Sequence, residues 1–322
     1  MKTKLALAAV AAFGMLPLTA AGASAAGASA TSAASATLAG PASGSAKLIV
    51  VYLENHSLGQ IVGNPDAPYL NSLWTSSSAE QFTQFYGVKH GSFNNYAAFA
   101  VGEALASGAS KAGQFSNTTV WDQLSGAGDT WGVYEESVPT ACYKGATFFG
   151  ATGEYKIGHN PAMPFASIAD NPAKCDDVKP LSALVVSKLP DVSFVTPNLC
   201  DDMHGVSASV ASQHHYTQCV TDPDLVKRGD SWIMKQVQKW TANDTNNVAV
   251  LIMFDEGEHS DSTGRGGTKG GGHIYAVLTG KPVTGGQNSG QYNAYNLLAG
   301  VEKTYSLTRL GNAATSTPID LP

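Results

Sequence analysis

Two stretches of unbroken apolar character dominate the hydropathy pattern. Lys47-Leu48-Ile49-Val50-Val51-Tyr52-Leu53 runs into Glu54-Asn55-His56, and Val248-Ala249-Val250-Leu251-Ile252-Met253-Phe254 runs into Asp255-Glu256. Runs of this length without polar alternation predict strands buried on both faces, as in a parallel sheet covered by helices. Further strands are predicted over 82–88, 131–134 (ending at Glu135-Glu136) and 192–196, with a last one over 274–278 opened by His273. Helices are predicted over 69–74, 121–127, 181–189, 225–240 and 295–305, and a strand–turn–helix over 89–102. In the 225–240 helix, Ile233, Val237 and Trp240 share one face, and Asp230 sits near the start, where the dipole favours an anion. Residues 142–179 show little periodicity. The glycine-rich 264–272 segment lacks the spacing of a phosphate loop and reads as a flap or a mere connection. Strands and helices in alternation give an α/β fold, a three-layer α/β/α sandwich with a mostly parallel central sheet.

Open sheets of this kind place ligands beyond the carboxyl ends of their strands. If the two apolar strands are neighbours, Glu54, Asp255 and Glu256 share one small volume. Like charges that close repel unless a cation sits among them, so the pair of strand ends predicts a metal site. Asn55, His90, Ser92, Asp202, His204 and His273 also follow strand ends. Carboxylates suit a hard cation, histidines serve as ligands or acids, and a serine hydroxyl can be activated as a nucleophile. At the Gly91-Ser92 turn the residues leave two readings open, an anion-binding helix start or a plain N-cap. Asp201, Asp230, His214-His215 and the Glu258-His259-Asp261 cluster read as solvated polar positions, and His56 as a helix cap. A serine hydrolase of the G-x-S-x-G type is set aside because no segment has that sequence.

The formal charge of −6, with 14% charged residues and no basic cluster, argues against a nucleic-acid partner and against adhesion to anionic membranes. Lys2 and Lys4, the apolar run 5–18 and Ala23-Ser24-Ala25 predict a signal peptide over 1–25 and hence secretion. An Ala/Ser/Gly-rich leader follows over 26–46, then a single domain over 47–322 with no segment long enough to span a membrane. Four cysteines in an exported chain predict two disulfides. Of the three possible pairings, Cys142–Cys175 and Cys200–Cys219 are preferred, since each ties down one long loop.

Leu53-Glu54-Asn55-His56-Ser57, His90-Gly91-Ser92-Phe93-Asn94-Asn95-Tyr96, His159-Asn160-Pro161, Pro197 to His204, Gly229-Asp230-Ser231-Trp232 and Phe254-Asp255-Glu256 occur in an order that resembles one known family. It is the phosphoesterase family of secreted acid phosphatases and phosphatidylcholine-type phospholipases C, within the alkaline phosphatase superfamily. The likeness runs from Lys47 to about Ala313. It implies that Glu54, Asn55, Asp255 and Glu256 bind a divalent metal and that Ser92 is the nucleophile. It also implies that His159 and His204 contact the phosphate or protonate the leaving oxygen, with Asp202 supporting that edge. Two departures stand out. The family's H-P-S-L-P-N-Y segment has Gly91 and Asn94 in place of its prolines, which predicts a looser turn. A histidine usual near the closing helix is absent from Tyr292-Asn293-Ala294-Tyr295, leaving His273 as a substitute.

The expected function is a secreted, metal-dependent phosphoric-ester hydrolase acting through a phosphoserine, with a phosphomonoester as first choice of substrate. A phospholipase C or other phosphodiesterase acting on a phospholipid headgroup is the alternative. An inactive relative that only binds a ligand at the surface is a second one.

Overall fold

The computed structural model describes residues 46–105, 107–242 and 247–322; the expected signal peptide and all of the leader except residue 46 lie outside them. In chain order the strands are β1 (Lys47–Leu53), β2 (Glu80–Tyr86), β3 (Trp131–Glu135), β4 (Thr147–Phe149), β5 (Glu154–Lys156), β6 (Val178–Pro180), β7 (Val192–Thr196), β8 (Val248–Phe254), β9 (His273–Ile274), β10 (Ala276–Gly280) and β11 (Gly286–Tyr292). The helices are α1 (Leu58–Ile61), α2 (Pro68–Trp74), α3 (Ser92–Val101), α4 (Val120–Ala127), α5 (Ala166–Ala169), α6 (Pro172–Cys175), α7 (Ala208–His214), α8 (Asp222–Thr241) and α9 (Ala294–Thr304). A nine-stranded sheet has the order β11-β2-β10-β8-β1-β7-β3-β6, with β9 beside β2; β4 and β5 form a separate hairpin.

The apolar runs take the centre. β1 lies between β7 and β8, parallel to both, and β3 and β6 continue the parallel block. Strand β10 is antiparallel to both its neighbours, and β11 is parallel to β2. Every residue of β8 and all of β1 after Lys47 are buried, because both faces are covered. On one face Tyr52 meets Tyr96 and Phe99 of α3, which packs with α4 and α9. On the other, Phe254 meets Tyr275, which meets Trp74 of α2, and α2 packs against α8. The α/β class and the mostly parallel sheet match the pattern of apolar positions.

Three expectations are corrected. Residues 181–189 form two short 3₁₀ turns, Leu181–Ala183 and Val186–Lys188, instead of a helix. Leu184 and Val185 are extended between them, and Leu189 is held extended by the following Pro190. The last strand is not 274–278. That run breaks at Tyr275 into β9 and β10, and the polar β11 follows as an edge strand whose composition gave no apolar signal. Asp230 lies in the middle of α8, and its carboxylate accepts from the Tyr69 and Leu70 amides at 3.0 and 2.8 Å. It caps α2, whose own N-cap Ala67 offers no side-chain acceptor.

The glycine-rich segment is a packed connection. A Cβ on Gly87 would lie 2.5 Å from the Gly271 carbonyl oxygen, and one on Gly272 2.9 Å from Gly257 Cα. Both expected disulfides are present, Cys142–Cys175 and Cys200–Cys219. Replacing Asp230 with alanine leaves two amide donors of α2 without their acceptor. The expected loss is about 2–3 kcal/mol of stability, read as a lower unfolding midpoint in denaturant; an unchanged midpoint would rule out the capping role.

Candidate active site

The sheet register sets the site. Leu53 pairs with Phe254, so Glu54 and Asp255 leave adjacent parallel strands side by side. The Asp255 amide donates to Leu53 O at 2.8 Å. On the other flank the loop after β7 folds back until Asp202 O accepts the Glu54 amide at 2.8 Å. Three carboxyls, two from adjacent strand ends and one from the loop after β7, are thereby buried together, Glu54 and Asp202 at 0% exposure and Asp255 at 1%. Burial raises the pKa of each, and mutual repulsion adds to the rise for Glu54. Asp202 is pushed up to about 7.

Other groups converge on Glu54. Ser92 Oγ donates to its Oε2 at 2.8 Å, and Tyr96 Oη donates to Oε1 at 2.8 Å. His159 Nδ1 lies 3.3 Å from Glu54 Oε1 and 3.3 Å from Asp202 Oδ2. Its imidazole stacks on Tyr96, and burial pushes its pKa down to about 3. His204 stands beside His159, with ring centroids 5.3 Å apart and its amide donating to Asp202 Oδ1. Partial desolvation and the neighbouring His159 imidazole lower the His204 pKa, although the residue is exposed. Ser92 and His159 line a cavity of about 450 Å³ together with Lys89, Phe93 and Asn94.

Ser92 opens α3, and the turn before it is tightly tied. Gly91 has φ +98°, a backbone that proline cannot adopt, and its amide donates to Glu256 Oε2 at 2.8 Å, a bond proline cannot make. Asn94 Nδ2 donates to the carbonyls of His90 and Gly91, and Asn95 bonds the Val88 amide and the Lys89 carbonyl. The two residues that replace the prolines therefore supply hydrogen bonds where a looser turn was expected. His90 adds a further tie, bridging Glu256 Oε2 at 2.9 Å and Asp261 O at 2.8 Å. Asp261, read from sequence as a solvated loop acid, also accepts from Ser57 Oγ and the His273 amide.

The four residues expected to bind metal all leave the ends of β1 and β8. Glu54 and Asp255 adjoin, but Asp255 Oδ1 accepts the Asn55 amide and Glu256 turns to His90 and Gly91. The ligand atoms that lie within 4.8 Å of one another come from Glu54, His159 and Asp202. A cation fits here on the donor chemistry: crowded buried carboxyls beside an imidazole. Asp255 Oδ2 and His56 Nε2 are among the buried atoms without a hydrogen-bond partner, and His56 Nδ1 donates to Glu54 O.

Sequence reasoning missed Tyr96, although it lies four residues after Ser92 and so on the same helix face. His273 was offered as a stand-in for the absent histidine. It donates to Thr83 O and stacks on Tyr86 instead, and Asn293 caps α9.

A model of the phosphoesterase family matches residues 67–308. The chain belongs to that family. It is 27% identical over 282 residues to a phosphatidylinositol-3-phosphatase of Mycobacterium tuberculosis, covering 85% of this chain and 81% of that protein. It is 27% identical over 256 residues to an acid phosphatase of Aspergillus fumigatus, covering 75% of this chain but 52% of that one. The chain thus spans about half the length of the fungal relative. Among solved structures, a Vibrio parahaemolyticus protein of the alkaline phosphatase superfamily shares the fold, with a TM-score of 0.52 and 14% identity over 88% of this chain and 73% of that one.

The buried carboxyls predict a pH dependence. A raised folded pKa means that the folded state holds protons the unfolded chain releases, so stability falls as pH rises between the two values. For Asp202 that window runs from the ordinary 3.8 to about 7. Glu54 and Asp255, with Glu135 and Glu136 outside the site, act in the same sense, and His159 and His204 act in the opposite one. Metal-free protein should lose thermal stability from about pH 4 to pH 7, and a divalent cation should flatten that slope. A cation-independent slope in melting curves would show that the cluster holds no metal.

Proposed function

We propose that the protein hydrolyses phosphoric monoesters through a covalent phosphoserine at Ser92. The observation that carries this is the hydroxyl of Ser92, which donates to a fully buried carboxyl at the start of a helix and lines an open cavity. Ser92 Oγ forms a bond to phosphorus as the bond to the leaving oxygen breaks, and the proton on Oγ has an acceptor in place at Glu54 Oε2. The first turn of α3 presents its amides where negative charge builds on the phosphoryl oxygens. His204 supplies a proton to the leaving oxygen and then takes one from the water that cleaves the phosphoserine. His159, facing Glu54 and Asp202, and Tyr96 hold the Glu54 carboxyl in its orientation.

Glu54 and Asp255 would hold a divalent cation, with Asn55 and Glu256 on one side and Asp202 and His159 on the other. A bound cation supplies charge compensation for the buried carboxylates and stabilises charge on the substrate. We propose further that the chain is secreted. Two disulfides support this, as does the predicted signal peptide, and among the described residues no helix is long and apolar enough to cross a membrane. A phosphatidylinositol-3-phosphatase and acid phosphatases among the relatives support a monoester over a diester.

Turnover of a chromogenic phosphomonoester should exceed that of the matching diester, vanish on chelation and return with added divalent ion. Ser92→Ala should lower kcat by a factor on the order of 10³ or more. Glu54→Gln should remove stoichiometric metal as measured by elemental analysis. Full activity of the serine variant would overturn the nucleophile, and a diester preference would move the assignment to phosphodiesterase.

A further inference from the structure

The cavity that Ser92 lines is larger than a reacting phosphoryl group needs. Its volume of about 450 Å³ lies in the range of sites that enclose a whole small molecule, so the alcohol portion of an ester enters it too. Phe93, Gly108, Ala109 and Gly158 give that portion an apolar wall whose side chains offer no hydrogen-bonding group. Phe93 is held in place by stacking on Phe115, with ring centroids 5.3 Å apart.

The polar side chains of the cavity are committed within the protein, with one exception. Both ring nitrogens of His90 are engaged, one by Glu256 and one by the Asp261 carbonyl. Asn94 Nδ2 donates to two carbonyls of the turn, Ser92 donates to Glu54, and His159 faces Glu54 and Asp202. The exception is Lys89. It is exposed, and it takes part in none of the ion pairs among the described residues. No acid lines the cavity. The acids tied to this turn are occupied, Glu256 by His90 and the Gly91 amide, Asp261 by Ser57 and Thr263.

The backbone that carries this ammonium is fixed. The Lys89 carbonyl accepts from Asn95 Nδ2 at 2.8 Å, and a Cβ on Gly271 would lie 2.9 Å from the Lys89 carbonyl carbon. A cation on a clamped backbone gives up less freedom on meeting a ligand than one on a mobile loop. It stands three residues before Ser92, outside the helix whose first amides face the reacting phosphoryl group. With those amides and the carboxyl-held cation serving that group, the ammonium is left for another part of the substrate. We propose that Lys89 is a specificity-determining residue, its ammonium pairing with a second anionic group, phosphate or carboxylate, on the alcohol portion of the ester. This rests on the phosphomonoester reading of the same cavity. A charge-assisted hydrogen bond gained by the doubly anionic ester, and absent with a neutral alcohol portion, makes the preference.

Two pairs of probes differ by one anionic group, glucose 1,6-bisphosphate against glucose 6-phosphate and 3-phosphoglycerate against glycerol 3-phosphate. Their affinities for the Ser92→Ala protein, measured by calorimetry with a divalent cation present, read recognition without turnover. In at least one pair the doubly anionic member should bind about tenfold tighter, and less so as salt rises. The first pair reports a phosphate and the second a carboxylate. Adding Lys89→Ala should abolish the advantage, and adding Lys89→Arg should keep it. No binding of any probe, equal affinity within both pairs, or an advantage that survives Lys89→Ala would overturn the proposal. So would an equal loss for both members of a pair, which would put the ammonium on the reacting phosphoryl group. Failure of the hydrolase reading shows separately, as protein with Ser92 intact that turns over none of the four esters.

Discussion

The structure is built around a charge problem. Glu54 and Asp255 leave the ends of adjacent parallel strands, Asp202 folds back from the loop after β7, and all three are buried together. Moving one carboxylate into such surroundings is costly, and three together are tenable only if they hold protons or share a cation. The parallel register makes the crowding unavoidable. Once Leu53 and Phe254 pair, the next residue of each strand must emerge at the same edge. Burial on both faces removes the alternative of turning one acid out to solvent. A fold that spends so much stability on one point is storing electrostatic potential there, and the neighbours of Glu54 are arranged to use it.

The same constraint explains the turn that carries Ser92. A hydroxyl can serve a buried carboxyl only if the backbone before it is fixed, and here that task falls to polar groups. Glu256 leaves the carboxyl cluster and binds the Gly91 amide, while His90 links Glu256 to the Asp261 carbonyl. Through Asp261 this connection extends to Ser57, directly after the Glu54-Asn55-His56 strand end. One closed set of hydrogen bonds thus joins the ends of β1 and β8 to the start of α3. The loss of two prolines, read alone as a loosening, becomes a change in the means of rigidity: fixed ring torsions give way to hydrogen bonds.

Much of this was legible in the residues because hydrophobic burial is a strong, local signal. Seven apolar residues followed by an acid can hardly be anything but a central strand and its exit, and both such strands were placed correctly. The helix over 181–189 failed because its apolar spacing suited a helix while the flanking Pro190 and the β-branched Val185 and Val186 did not. Strand β11 was invisible because an edge strand of glycine, glutamine, asparagine and serine buries little. Asp230 was assigned to its own helix, since nothing local shows that a side chain caps a partner 160 residues away. The spacing of Tyr96 from Ser92 was legible, but that Tyr96 and His159 both meet Glu54 depends on which face of α3 meets the sheet.

Long-range assembly also separates what an acidic chain does on average from what one of its faces does. Electrostatic attraction to a surface falls off over about 10 Å at ordinary salt, so a lysine is felt through its near neighbours and scarcely at all through the net charge. On α8 those neighbours are set by helical geometry. Arg228 turns inward to neutralise Asp201 and to brace the hairpin through Thr152, while Lys235 and Lys239 further along the helix are exposed. Internal neutralisation and outward charge are therefore two consequences of one helix.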